Sequence, residues 1–226
     1  MRKNHRRRIS VLIAGLCAIM LVGGAWANEP APPGGTDAKS IVLNGGFEEW
    51  QAAAASDAKS MDCPQSPTGW SMLPGPEHPI CSVTRDATIK HAGAFSIRLT
   101  NTNTKSHLAI GQRLAAEPEY RYIVRAWFKG DRIDAYHPKG AILHLVASSS
   151  GDMKDTGLWA GNLRAADKSP VPHTGTFDWT ELVCTCDTPV GAQSIMLLVE
   201  VRGAGTLWLD DIQVTRLEKC KQVESY

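Results

Sequence analysis

What is missing from this 226-residue sequence narrows it first. Behind the apolar run Val11–Val22 there is no second long hydrophobic stretch, which excludes a polytopic membrane protein. There is no basic surplus either. Formal charge is +1, but Arg2, Lys3, Arg6, Arg7 and Arg8 supply five of the 24 basic side chains. Behind residue 27 the balance is 19 basic against 23 acidic, a net of −4. That excludes the strongly basic face of a nucleic-acid binder. No G-x-S-x-G turn presents a nucleophile. Glu181, Glu200, Asp152 and Asp155 are present, but nothing in the sequence pairs two of them across a cleft as a glycosidase requires. Internal repeats are absent. No long stretch has helical periodicity, and Gln51–Ser60 is compatible with a short helix or with a small-residue loop.

The front of the chain reads as an export signal: a basic head, the apolar run, then Ala25-Trp26-Ala27 with small residues at the cleavage positions. Cleavage places the mature start at Asn28 and the protein in the periplasm, at the cell surface or outside the cell; an uncleaved single anchor is the alternative. Residues 28–39 (NEPAPPGGTDAK) form a flexible linker. Export permits disulfides. Five cysteines remain behind residue 27, so one thiol stays free or pairs between chains. Cys63 and Cys81 flank a Pro/Gly-rich loop and are candidates to pair. Cys184 and Cys186 point the same way along a strand, so they do not bond to each other, and one of them, Cys186 being the candidate, is expected to reach Cys220.

From Ser40 onward, short alternating apolar runs are separated by turn residues. They predict strands at Ile41–Asn44, Ser82–Arg85, Ser96–Thr100, Leu108–Leu114, Tyr120–Lys129, Ala141–Ala147, Thr180–Cys186, Ser194–Val201 and Thr206–Leu217. About nine short strands with Gly/Pro turns predict an all-β antiparallel sandwich over 40–217, with 218–226 as a tail. The long segment Ser148–Thr176 carries few strand signals, and loops of that length are often functional.

Six blocks stand in order along this region. They are Asn44-Gly45-Gly46-Phe47-Glu48, Gly69-Trp70, His91-Ala92-Gly93-Ala94-Phe95-Ser96-Ile97-Arg98-Leu99, Tyr122–Lys129, a lone Trp179, and Leu207-Trp208-Leu209-Asp210-Asp211-Ile212. Their order resembles the carbohydrate-binding modules of families four, nine and twenty-two, over roughly Ser40–Leu217. The resemblance implies a galactose-binding-like jelly roll that lays a glycan across its concave face or at its loop rim. It also implies a structural calcium, with Glu48 and Asp210 or Asp211 as side-chain ligands and backbone oxygens near Lys90–Gly93 completing an oxygen shell. A lone module of this kind implies an oligo- or polysaccharide as partner and no catalysis.

Sugar binding needs aromatic faces and planar polar groups. Strand parity puts Arg125 and Trp127 on the non-core face of their strand, His144 outward in Ala141–Ala147, and Met196, Leu198, Glu200 and Arg202 outward in the next strand. If these strands are neighbours, Arg125, Trp127, His144, Glu200 and Arg202 form one patch suited to an oligosaccharide, including an acidic one. The bland reading is a set of solvated cross-strand pairs. Trp70 and Trp179 are expected in the core. Trp208 is an outward platform or an edge cover, and Trp159, in the long loop, is a stacking platform or an anchor for its own loop. Two other classes remain: an envelope interaction protein, to which a disulfide-linked dimer would belong, and a small lyase or glycosidase.

Overall fold

The computed structural model describes residues 39–53, 63–74, 81–134, 140–148 and 174–220. The expected export signal, nearly all of the expected linker, Trp159 and most of the C-terminal tail lie outside these residues.

The described chain is all-β. The strands are β1 (Trp50–Ala52), β2 (Gln65–Pro67), β3 (Ser71–Pro74), β4 (Cys81–Asp86), β5 (Ser96–Asn101), β6 (His107–Ala115), β7 (Tyr120–Ile133), β8 (Ala141–Ser148), β9 (Gly175–Asp187), β10 (Ser194–Arg202) and β11 (Gly205–Lys219). A four-stranded sheet has the order β3-β6-β10-β8 and a five-stranded sheet the order β4-β5-β11-β7-β9; β1 and β2 form a small pair of their own. Every pairing is antiparallel. This is the antiparallel β-sandwich jelly roll.

Alternation along the strands makes the core. Leu108, Ile110, Leu143, Leu145, Ile195, Leu197 and Val199 project from the four-stranded sheet. Ile97, Leu99, Val124, Ala126, Phe128, Leu207 and Leu209 meet them from the five-stranded sheet, and all are essentially inaccessible. Each such aliphatic or aromatic side chain contributes about 1.5–3 kcal/mol by leaving water. Phe47 joins the same core, so the Asn44–Glu48 block packs with the last strand. Gly45 explains part of this. A Cβ there would lie 2.0 Å from the Ile212 carbonyl oxygen, so only glycine lets the two segments approach this closely.

Three local expectations change. Ile41–Asn44 is not a strand: Ile41 donates one backbone bond to Val214, and the segment then coils through Asn44 with φ near 51°. β11 continues to Lys219, past the expected end of the domain. The Cys186–Cys220 disulfide does not form. Both thiols are free, and β9 and β11 flank β7 on opposite sides. The Cys220 thiol instead lies against the Asp187 carboxylate, one residue along β9 from Cys186. Burial pushes the Cys186 thiol up to about 12, which leaves it unreactive at neutral pH. Cys63 is buried, with its Sγ against Gln65 O at 2.7 Å and Val83 O at 3.1 Å. The Cys81 and Cys184 side chains lie outside the described residues.

Candidate functional site

The five-stranded sheet presents an outer face built by simple parity. Along β7, Ala126, Phe128 and Gly130 face inward and Arg125, Trp127, Lys129 and Asp131 face outward. β11 aligns against it with Asp210 opposite Trp127, Trp208 opposite Lys129 and Thr206 opposite Asp131. On the other side of β7, Glu181 of β9 stands opposite Trp127. Phe177 then drops inward over Gly130, where an added Cβ would meet its ring at 2.3 Å, and the ladder shifts register between Phe128 and Gly130. That irregularity leaves Trp179 half-buried on the outer side.

Above this face lies the β4–β5 connection, residues 87–95, and carboxylates hold it down. Asp86 Oδ1 accepts the Thr88 and Ile89 amides at 2.8 and 2.9 Å. Asp210 Oδ2 accepts the His91 and Ala92 amides at 2.8 and 3.1 Å, and its Oδ1 accepts the Asp211 amide at 2.8 Å. Glu48 Oε1 accepts the Ala94 and Phe95 amides at 2.9 and 3.3 Å. Gly93, with φ near 57°, leaves room for that carboxylate, since a Cβ would sit 2.0 Å from Glu48 Oε1. Asp210 is 1% exposed. Burial raises its pKa, and the three amides oppose the rise.

The clamped loop sets the His91 ring on Trp127, stacked at 3.9 Å between centroids and 14° between planes, and edge-on to Trp179 at 5.7 Å. His91 Nδ1 lies 2.7 Å from Asp211 Oδ2. Around these rings Arg125 pairs with Glu181 at 3.0 Å and Lys129 with Asp178 at 2.6 Å. The bond from Lys129 holds the Asp178 carboxyl below its ordinary range. The result is an aromatic patch framed by planar polar groups.

The patch expected from the sequence divides in two. Arg125 and Trp127 belong to this face. Glu200 and Arg202, paired at 2.6 Å, lie on β10 in the other sheet and look the opposite way. His144 sits opposite Leu198 in β8, also in the four-stranded sheet; its side chain lies outside the described residues. The cause is strand order: β10 pairs with β6 and β8, never with β7. Trp70 is in the core, 5% exposed and tilted against Phe47 at 5.2 Å. Trp179, expected there too, is on the outer face instead. Trp208 points outward but is covered, and its Nε1 donates to Asp86 Oδ2 at 2.9 Å, so it caps the sheet and is not an open platform. His91, Trp179, Lys129, Asp178 and Glu181 were not singled out as site residues from the sequence. The adjacency of the HAG and LDD blocks implied by the resemblance was the signal that could have brought His91 in.

Of the three carboxylates expected as candidates to hold calcium, Asp210 accepts three backbone amides. Glu48 Oε2 and Asp211 Oδ1 make no hydrogen bond among the described residues. Both side chains flank Gly46: a Cβ there would lie 3.9 Å from Glu48 Cγ and from Asp211 Oδ1. No group of three or more His, Cys, Asp or Glu side chains among the described residues gathers as a metal centre. A cation here would therefore depend on two carboxylates and backbone carbonyls.

No family model matches this chain, and no curated protein matches it. Solved structures do. The enzymatically active domain of tailspike protein 4 from bacteriophage CBA120 superposes with a TM-score of 0.50 at 11% identity. The match covers 79% of this chain and 21% of that one, so this chain spans about a fifth of the tailspike. A family 4 carbohydrate-binding module gives 0.46 at 16% identity, covering 79% of this chain and 100% of that one. A family 61 module in complex with β-1,4-galactotriose gives 0.45 at 16% identity, covering 80% and 100%. Carbohydrate-binding modules of families 16 and 22 are also among the neighbours. At these identities the likeness is one of fold.

Proposed function

We propose that this chain is an exported, non-catalytic carbohydrate-binding protein, and that an oligo- or polysaccharide docks on the outer face of the five-stranded sheet. The observation that carries the reading is the patch of Trp127, His91 and Trp179 ringed by the Arg125–Glu181 and Lys129–Asp178 pairs. Sugars offer apolar C–H faces to aromatic rings and hydroxyls to planar donors and acceptors, and this arrangement supplies both. Trp127 is engaged by His91, so Trp179, with only an edge contact, is the stacking platform. A non-catalytic role is supported by the carboxylates. A general acid needs a raised pKa and access to substrate. Asp210 has the raised pKa but is buried under three amides, while Asp178 and Glu181 are bound to cations.

The test is titration of glycans retained on an array, comparing the parent protein with Trp179→Ala. Affinity should fall by about tenfold or more, as for an aromatic anchor worth about 1.4 kcal/mol. Unchanged affinity would remove this face from consideration. Retention of a protein ligand with no glycan bound would favour the interaction-module reading, and product release from a polysaccharide panel would favour an enzyme.

Calcium is a separate proposal, with Glu48 and Asp211 as its carboxylate ligands. A bound ion would screen the repulsion between these two groups and pin the N-terminal turn to β11. At saturation near a hundredfold over Kd, linkage contributes about 2.7 kcal/mol. Chelation should then lower Tm on the order of 5–10 °C, and a chelator-insensitive melt would refute the ion.

A further inference from the structure

At one end of the sandwich the core opens into a cavity. The inward row of the five-stranded sheet runs through Val124 on β7 and Val214 on β11, which stand opposite each other. It then reaches Tyr122 and Arg216, again opposite each other. Tyr122 is 2% exposed, whereas Arg216 is exposed. Both line a cavity of about 400 Å3, a volume in the range of small-molecule sites. Ala115 and Ala116, at the end of β6, and Ile41 give it apolar walls. The Ile41 wall is strapped in place: Ile41 N donates to Val214 O at 2.8 Å, and Val214 N donates to Ser40 Oγ at 3.2 Å. Lys39 and Glu117 also line the cavity and, like Arg216, are exposed.

The polar groups of this cavity have donors to spare. The Tyr122 hydroxyl oxygen accepts the Glu117 amide at 2.9 Å, but its own proton has no acceptor among the described residues. Burial raises the Tyr122 pKa, and the Cys186 and Tyr120 side chains add to the rise, so the phenol keeps that proton. Arg216 pairs with the Glu117 carboxylate and lies over the Tyr120 ring at 4.8 Å. A guanidinium carries five N–H donors, so one carboxylate does not exhaust it. Lys39 has no ion pair among the described residues. Two cations therefore line the cavity with one carboxylate, and one positive charge is left over. A monoanion balances that charge. A dianion would stand beside Glu117 with a charge of its own unmatched. We propose that this cavity is a second ligand site, for a small monocarboxylic acid with an apolar body. The carboxylate takes the Tyr122 hydroxyl and the free N–H groups of Lys39 and Arg216, and the body lies on Ile41, Ala115 and Ala116. The site is about 17 Å along β7 from Trp127 and on the opposite side of the sheet, so it does not rest on the glycan reading.

Calorimetric titration with benzoate, cyclohexanecarboxylate and isovalerate tests this, with the primary amide of each as its neutral isostere and inorganic phosphate as the dianion. At least one acid should bind with a Kd of about 1 mM or below, and at least about tenfold more tightly than its amide. Its affinity should fall severalfold between low and high salt. Lys39→Gln, a change at an exposed side chain, should weaken that acid by about threefold or more, and Tyr122→Phe by about tenfold. Trp179→Ala should leave it unchanged. No acid bound at about 10 mM, an amide that binds as well as its acid, phosphate bound in preference, or either cavity variant folded and at parent affinity would each overturn the proposal. If Tyr122→Phe does not fold, Lys39→Gln decides alone. Loss of binding in Trp179→Ala would place the acid on the aromatic face and remove the cavity as its site.

Discussion

The two outer faces of this sandwich are made by the same alternation and carry opposite chemistry. On the four-stranded sheet the outward positions include Ala109, Ile142, Met196 and Leu198, and the first three of these are under 10% exposed. Gly111 lets the long side chains lie down across β6: a Cβ there would meet Leu198 Cδ2 at 2.6 Å. That face is aliphatic, with the Glu200–Arg202 pair on β10. On the five-stranded sheet the outward positions are aromatic and charged, and a loop is bolted above them by three carboxylates, Asp210 buried, Asp86 half-buried and Glu48 exposed. A sandwich needs only its inner faces to fold, so the outer faces are free to diverge. An aliphatic floor can only be covered, whereas rings beside paired charges can recognise hydroxyls in a stated orientation.

The strongest way to break the comparison is Asp210→Ala. It strands three amides, those of His91, Ala92 and Asp211, next to a buried site. These donors are part-buried and water can reach them, so each lost bond to the carboxylate costs about 0.5–1.5 kcal/mol. Urea unfolding should therefore show a loss of about 2–4 kcal/mol, with the His91–Trp127 stack lost as well. A loss under about 1 kcal/mol would mean that the loop is held by something other than this clamp. A smaller effect is expected at Asp86. Burial pushes its carboxyl up, but the Ile89 amide, the Trp208 indole, the Thr88 amide and Arg98 together outweigh burial, so its folded pKa lies below the unfolded 3.8. The stability it contributes is complete above 3.8 and is lost as pH falls through the window between the two values. Asp86→Asn should cost about 1 kcal/mol at neutral pH and flatten the acid limb of a stability–pH curve; an unchanged acid limb would refute the assignment.

Strand parity was legible because it is a property of neighbouring residues. Tyr122, Val124 and Phe128 against Arg125 and Trp127 could be read from β7 alone, as could the inward set of β10. Sheet membership was not legible, because it depends on which distant strand supplies the next ladder. Arg125 and Glu200 both read as outward, and nothing local says that their strands lie in different sheets. Trp179 was misplaced for a related reason. It sits beside the register shift at Gly130, where the period of two is interrupted and counting from Thr180 no longer predicts a side. His91 is in a loop with no periodicity, and only the folded carboxylate clamp gives it a position.

The smallest expected effect is also the one that separates the faces most directly. Arg202→Ala removes one ion-pair partner of Glu200 from the aliphatic face. The pair is partly solvated, with side chains 34% and 13% exposed, so its loss should cost no more than about 1 kcal/mol. It should leave glycan affinity within about twofold, a change of no more than about 0.4 kcal/mol. Paired with Trp179→Ala in the same titration, it assigns the ligand to one sheet. If Arg202→Ala instead removes binding while Trp179→Ala does not, the glycan lies on the four-stranded sheet. The ringed aromatic patch would then be a device for holding the 87–95 loop, with His91 as its bolt.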